Sequence, residues 1–220
     1  MDVRALFVDA AGTLLRPCEP IGVTYARFAR ARNHPSDPVE VELRFRAALG
    51  RPRGPVGTQA RQHGDGRAFW SEIVAESVGV DDPALFEALY QWYARPKAWW
   101  IDAEALEALG KVARQGVRLG IISNWDLHLR DLYQRFALER MFGVLVCSAE
   151  LGVEKPEPWI FQEACRVAGV RPCHAVHIGN DPVNDVEGAN RAGMVGLLYD
   201  DDEGWRGLPD RIGVLRRMFP

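Results

Sequence analysis

The chain has 220 residues, 47% of them hydrophobic and 26% charged, with a formal net charge of −3. That balance suits a globular domain and excludes a disordered, collagen-like or coiled-coil chain. No apolar run reaches the ~18 residues of a membrane-spanning helix, and the slightly acidic charge gives no pull toward nucleic acid or anionic membranes.

Residues 3–8 (VRALFV) are a short apolar run that ends at Asp9, as expected of a strand buried on both faces. Acidic and polar residues interrupt the N-terminal stretch, which lacks a basic flank and a small-residue cleavage site. It therefore does not read as a signal peptide, and the expected location is the cytoplasm. Helical periodicity follows at 22–33, 38–49, 68–78 and 84–95, with a Gly/Pro-rich loop at 51–66 between the middle two. In that loop and just after it, Arg61, His63 and Arg67 read as exposed polar residues. Trp70, Trp92, Trp99 and Trp100 read as core.

Beyond this block the pattern alternates. A helix is expected over 103–115, a strand over 117–122 ending at Ser123, and a helix over 127–136. A strand follows at 143–147, a helix at 157–168, a strand at 174–178 and a last short one at 195–198. Such alternation predicts a doubly wound parallel α/β sheet. The helical block inserted after the first strand would sit over the carboxyl ends of the strands, where open α/β sheets bind ligands. The four cysteines are scattered with no C-x-x-C pair and read as reduced, apolar residues rather than a disulfide or zinc framework.

The strand ends carry the chemistry. Asp9 follows the first strand, Ser123 the second, and Asn180, Asp181 and Asp185 follow the strand at 174–178. Lys155, one of only three lysines, comes shortly after the strand at 143–147. In a parallel sheet these points share one rim. Taken singly each has a plainer role: Asp9, Ser123 and Asp185 as caps, Lys155 as a surface charge.

Together the segments ALFVDAAGTLL (5–15), LGIISNWD (119–126), GVEKPEPWIF (152–161) and HIGNDPVNDVEGANRAGM (177–194) resemble the haloacid dehalogenase-like hydrolase superfamily. The resemblance implies a Rossmann-like α/β core over 1–14 and 97–220, with an α-helical cap over 15–96. RAFWSEIV (67–74) is similar to a helical-cap subgroup. It further implies that Asp9 is a nucleophile attacking phosphorus to give an acyl phosphate. Ser123, Asn124, Lys155 and the turn at Gly12 and Thr13 would bind the phosphoryl group. Magnesium would sit on Asp9, the backbone oxygen of Ala11 and Asn180, supported by Asp185 and Asp181. The implied substrate is a small phosphorylated metabolite.

Two positions depart from the family pattern. Phosphatases of the family carry a second aspartate, an acid–base, where this chain has Ala11, and usually an aspartate where it has Asn180. The chain is thus expected to be a phosphatase with impaired acid–base catalysis and a weakened metal site. One alternative is a family member that binds without turnover. Another is a dehalogenase or phosphonatase, branches that also lack the second aspartate. The phosphonatase branch uses a cap lysine, and residues 15–96 contain none. The dehalogenase branch usually has an aromatic residue at the Ala11 position and an S-S-N arrangement near Asn180, and neither is present.

Overall fold

A computed structural model describes residues 2–51 and 66–218, with side chains to Leu215. Five strands form one parallel sheet: β1 (Ala5–Val8), β4 (Arg118–Ser123), β5 (Val144–Cys147), β6 (Ala175–Gly179) and β7 (Val195–Leu198), in the order β5-β4-β1-β6-β7. The chain-order strand β1 sits at the centre, paired with β4 and β6. Its alternate residues feed two cores. Leu6 and Val8 face a cluster with Leu109, Val112, Leu129 and Leu132, while Ala5 and Phe7 face Ile160, Phe161 and Ala164. Burial on both faces is what a continuous apolar run encodes.

The flanking helices are α5 (Ala103–Arg114), α6 (His128–Arg135), α8 (Pro158–Ala168) and α10 (Leu208–Met218), with two short ones, α7 (Ser148–Leu151) and α9 (Gly188–Arg191). Asp102 caps α5 by accepting from Glu104 N at 2.8 Å. A π-helical turn, Pro182–Glu187, precedes α9.

The chain leaves β1 and crosses β2 (Leu15–Pro17) into four helices: α1 (Ile21–Arg30), α2 (Pro38–Gly50), α3 (Arg67–Val78) and α4 (Pro83–Tyr93). It returns through β3 (Trp99–Ile101), which pairs antiparallel with β2. This ribbon was not expected from the sequence. Asp37 and Asp82 cap α2 and α4, each followed by a proline at the first helical position, a pairing suited to a helix start. The four helices bury clusters of their own, around Tyr25, Leu85 and Leu89 and around Phe69 and Ile73. No described helix is long and apolar enough to cross a membrane.

Candidate active site

All four strand-end groups meet at the carboxyl edge of the sheet. Asp9 continues the β1 ladder by donating its backbone N–H to Ile178 O at 2.9 Å. The chain then turns tightly through Gly12, whose φ of +79° favours glycine. Asp9 Oδ1 accepts from Ser123 Oγ at 3.1 Å and from Lys155 Nζ at 2.5 Å. The same ammonium donates to Asp185 Oδ1 at 2.6 Å. Asp9, Ser123, Lys155 and Asp185 are all buried.

The electrostatics follow from burial and pairing. Burial raises the Asp9 pKa, against the pull of the Lys155 charge. Burial also works against the Lys155 charge, but Asp9 and Asp185 outweigh it and its pKa is raised. For Asp185 the balance is reversed. Burial would raise it, yet Lys155 and the His177 hydrogen bond hold it well below the carboxylate range. His177 is pushed down by burial, against the Asp185 hydrogen bond that favours its charged form. Two carboxyl groups thus share one ammonium.

Several supporting contacts are not legible in the sequence. His177 is fully buried, lies 3.0 Å from Asp185 Oδ1 through Nε2, and packs edge-on against Phe161. A histidine inside an apolar strand needs a polar partner, and that was its only signal. Asn124 spends its amide on the Lys155 backbone: Nδ2 donates to Lys155 O at 2.9 Å, and Oδ1 accepts from Lys155 N at 2.7 Å. Both bonds fix the Lys155 backbone, so the side-chain amide is spent there. Ser148 Oγ accepts from Trp125 N at 3.1 Å and so pins the loop after Ser123. Asp126 accepts from His128 N at 2.9 Å, and both side chains line the cavity above Asp9.

The remaining sequence candidates are placed as follows. Asp181 caps the π-helical turn, accepting from Val183 N and Asn184 N through Oδ1 and from Asn184 Nδ2 through Oδ2. Ala11 lies exposed in the cavity wall. Arg67 pairs with Glu87 and stacks over Tyr90 at 4.6 Å. Arg61 and His63 fall outside the described residues. Trp70 and Trp99, expected in the core, do pack against the core clusters and also line the cavity, whereas Trp100 is exposed.

A hard divalent cation needs oxygen donors. Asp9 Oδ2 and Asn180 Oδ1 flank one Thr13 hydroxyl, at 3.4 and 3.2 Å from Oγ1. That hydroxyl has one proton, so at least one of the two oxygens keeps its lone pairs free. Among the described residues no three Asp, Glu, His or Cys side chains form a metal cluster. One carboxylate and one amide, with the nearby Ala11 carbonyl, fit magnesium as a partial shell, since this ion commonly keeps waters and takes substrate phosphate oxygens.

The haloacid dehalogenase-like hydrolase family model matches residues 3–193. Haloacid dehalogenase-like hydrolase domain-containing protein 3 of Homo sapiens is 32% identical over 206 residues, 90% of this chain and 82% of that protein. A glyceraldehyde 3-phosphate phosphatase of Methanopyrus kandleri is 32% identical over 61% of this chain and 60% of its own length. Among solved structures, a HAD phosphatase from Thermococcus onnurineus superposes with a TM-score of 0.68 at 22% identity, over 96% of this chain and 98% of that one. An L-2-haloacid dehalogenase from Xanthobacter autotrophicus gives 0.65 at 21%, over 87% and 75%. Likenesses this distant speak for the fold alone.

Proposed function

The chain belongs to the haloacid dehalogenase-like hydrolase family, and from that premise we propose that it is a phosphomonoesterase with Asp9 as nucleophile. The observation that carries this reading is the buried Asp9 carboxylate, held through one oxygen by Ser123 and Lys155 at the floor of a cavity. Oδ1 takes two donors and Oδ2 only the long 3.4 Å contact with Thr13 Oγ1, so Oδ2 is the oxygen more available to attack. Asp9 Oδ2 forms a bond to phosphorus as the ester P–O bond breaks, leaving an acyl phosphate and an alkoxide that takes a proton to become the alcohol. Water then attacks the phosphorus, returning the carboxylate and inorganic phosphate.

Lys155 spends two of its three N–H groups on Asp9 and Asp185 and has one left for a phosphoryl oxygen as charge spreads over it, while the single Ser123 proton stays in its bond to Asp9 Oδ1. Asn124 keeps Lys155 in place, and Asp185 and His177 orient its ammonium. Asp9, Asn180 and the Ala11 carbonyl would hold magnesium, which would offset the repulsion between a phosphate dianion and the site's carboxyl groups. Ala11 offers no proton to the leaving group, so turnover is expected to be slow. The helices over 15–96 act in this reading as the cap that closes the cavity. Phosphatase-named relatives support a phosphorylated substrate.

The test is phosphate release from a panel of phosphomonoesters, with and without magnesium. Asp9→Asn, which keeps size but removes the nucleophilic charge, is expected to abolish turnover. If Asp9→Asn retains the wild-type rate, or the wild type hydrolyses no member of the panel, the reading fails.

A further inference from the structure

The cavity above Asp9 has a volume of about 580 Å³, within the range of pockets that bury most of a drug-sized ligand. Its two ends differ in chemistry. The sheet end presents Asp9, Lys155, Asn180 and the acidic loop. Away from it, the wall is a run of touching rings. Phe45 meets Tyr25 at 5.7 Å between centroids, Tyr25 meets Tyr93 at 6.2 Å, Tyr93 meets Trp99 at 5.6 Å, and Trp99 meets Trp125 at 4.8 Å. All five line the cavity. Trp125 stands two residues past Ser123, so the run starts beside the nucleophile and reaches α2. Val74, Phe86 and Leu89 add to the apolar lining.

Polar groups are sparse along this wall. Among the described lining residues here, the charged ones are Arg46, exposed and bonded to Glu42 at 3.0 Å, and Asp126, bonded to His128 N. Burial pushes the Tyr25 and Tyr93 phenols up, as expected of a dry wall. Trp70 Nε1 is buried and has no hydrogen-bond partner among the described residues. The remaining polar lining is His128 and the tyrosines Tyr25, Tyr90 and Tyr93, of which Tyr25 and Tyr90 are buried. A polyol leaving group would bring more hydroxyls than these few groups can pair, and each unpaired burial is costly. A ring-bearing apolar group would instead lose its water-exposed surface and pack against ring faces and edges.

We propose that the leaving group is a bulky, uncharged, ring-bearing alcohol rather than a sugar or polyol. This rests on the phosphomonoesterase reading and names its substrate class.

The full chain with magnesium is assayed on 3-phenylpropyl phosphate, propyl phosphate and glycerol 1-phosphate, all esters of primary alcohols. The phenylpropyl ester is expected to exceed each of the others in kcat/KM by roughly 10- to 100-fold, the worth of burying one ring. Equal values, or a preference for the glycerol ester, overturn the proposal. Phe45→Ser, at a half-buried position, is expected to shrink the phenylpropyl-to-propyl ratio several-fold, and an unchanged ratio also counts against it. Calorimetry with 3-phenylpropyl phosphonate and propyl phosphonate asks the same question without turnover. Tighter binding of the ring compound by at least 10-fold supports the proposal, and equal affinity overturns it. If no ester is hydrolysed, the hydrolase reading fails, while the calorimetry still decides whether the wall selects rings.

Discussion

Ala11 is the residue whose side chain most limits the proposed chemistry. It sits two positions after Asp9, exposed in the cavity wall, and its methyl can neither give nor take a proton. A positioned acid–base is typically worth ~10²–10⁴-fold in rate. Because the position is open to the cavity, a carboxyl group there is not forced into the core. Ala11→Asp is therefore expected to raise kcat by roughly 10²-fold, measured by phosphate release, with the gain lost again when Asp9→Asn is added. Gly179 is limiting in the opposite sense. A Cβ built there would lie 2.2 Å from Asp185 Cγ. Gly179→Ala must displace the carboxylate that orients Lys155 and accepts from His177. The expected cost is about 1–3 kcal/mol by overpacking, read by urea denaturation, together with loss of phosphate release at temperatures where the variant is still folded. An active Gly179→Ala protein would show that Asp185 can shift without consequence.

At the scale of elements, the sequence was most readable where one strand or helix makes its own signal. The strands at 3–8, 117–122, 143–147, 174–178 and 195–198 are apolar runs bounded by turn or polar residues, and each appears within a residue or two of its expected bounds. The residues just past those runs, Asp9, Asn180 and Asp185, share one rim with Ser123 because the sheet is parallel. The β2–β3 ribbon was illegible for a physical reason. Three residues per strand, partly exposed, are too few to show a period, and each strand's partner lies at the far end of the helical insertion. The clamps by Asn124 and Ser148 and the contact of His177 with Asp185 depend on tertiary neighbours, so residue type alone could not reveal them. Capping signals, by contrast, are local. Asp102 stands before α5, whose Ala105, Leu109 and Val112 enter the core beside β1. Asp102→Ala is expected to destabilise the protein by ~1 kcal/mol in chemical denaturation, with Asp102→Asn recovering most of it. No change in the midpoint would mean that water replaces the cap at no cost.

For the whole molecule, the family match ends at residue 193, but the core does not. β7 adds the edge strand next to β6, and Tyr199, Trp205, Leu208 and Ile212 are buried in the cluster that also holds Leu6, Val8 and Leu109. Trp205 is fully buried, with its ring 4.9 Å from Tyr199. Its Nε1 has no hydrogen-bond partner among the described residues. Two substitutions separate the value of the ring from the cost of the unpaired donor. Trp205→Ala empties a large buried volume and is expected to cost about 3–5 kcal/mol, a large share of the ~5–15 kcal/mol that holds a domain folded. Trp205→Phe keeps an aromatic ring and removes the orphan N–H, whose desolvation is itself worth ~1–3 kcal/mol. Its lost packing and its relieved donor oppose each other, and the net change is expected to be small. Guanidinium denaturation of the three proteins checks the order. A Trp205→Ala midpoint equal to wild type would make the segment after 193 an appendage, whereas the expected loss makes it part of the same cooperative core that holds Asp9 at the floor of the cavity.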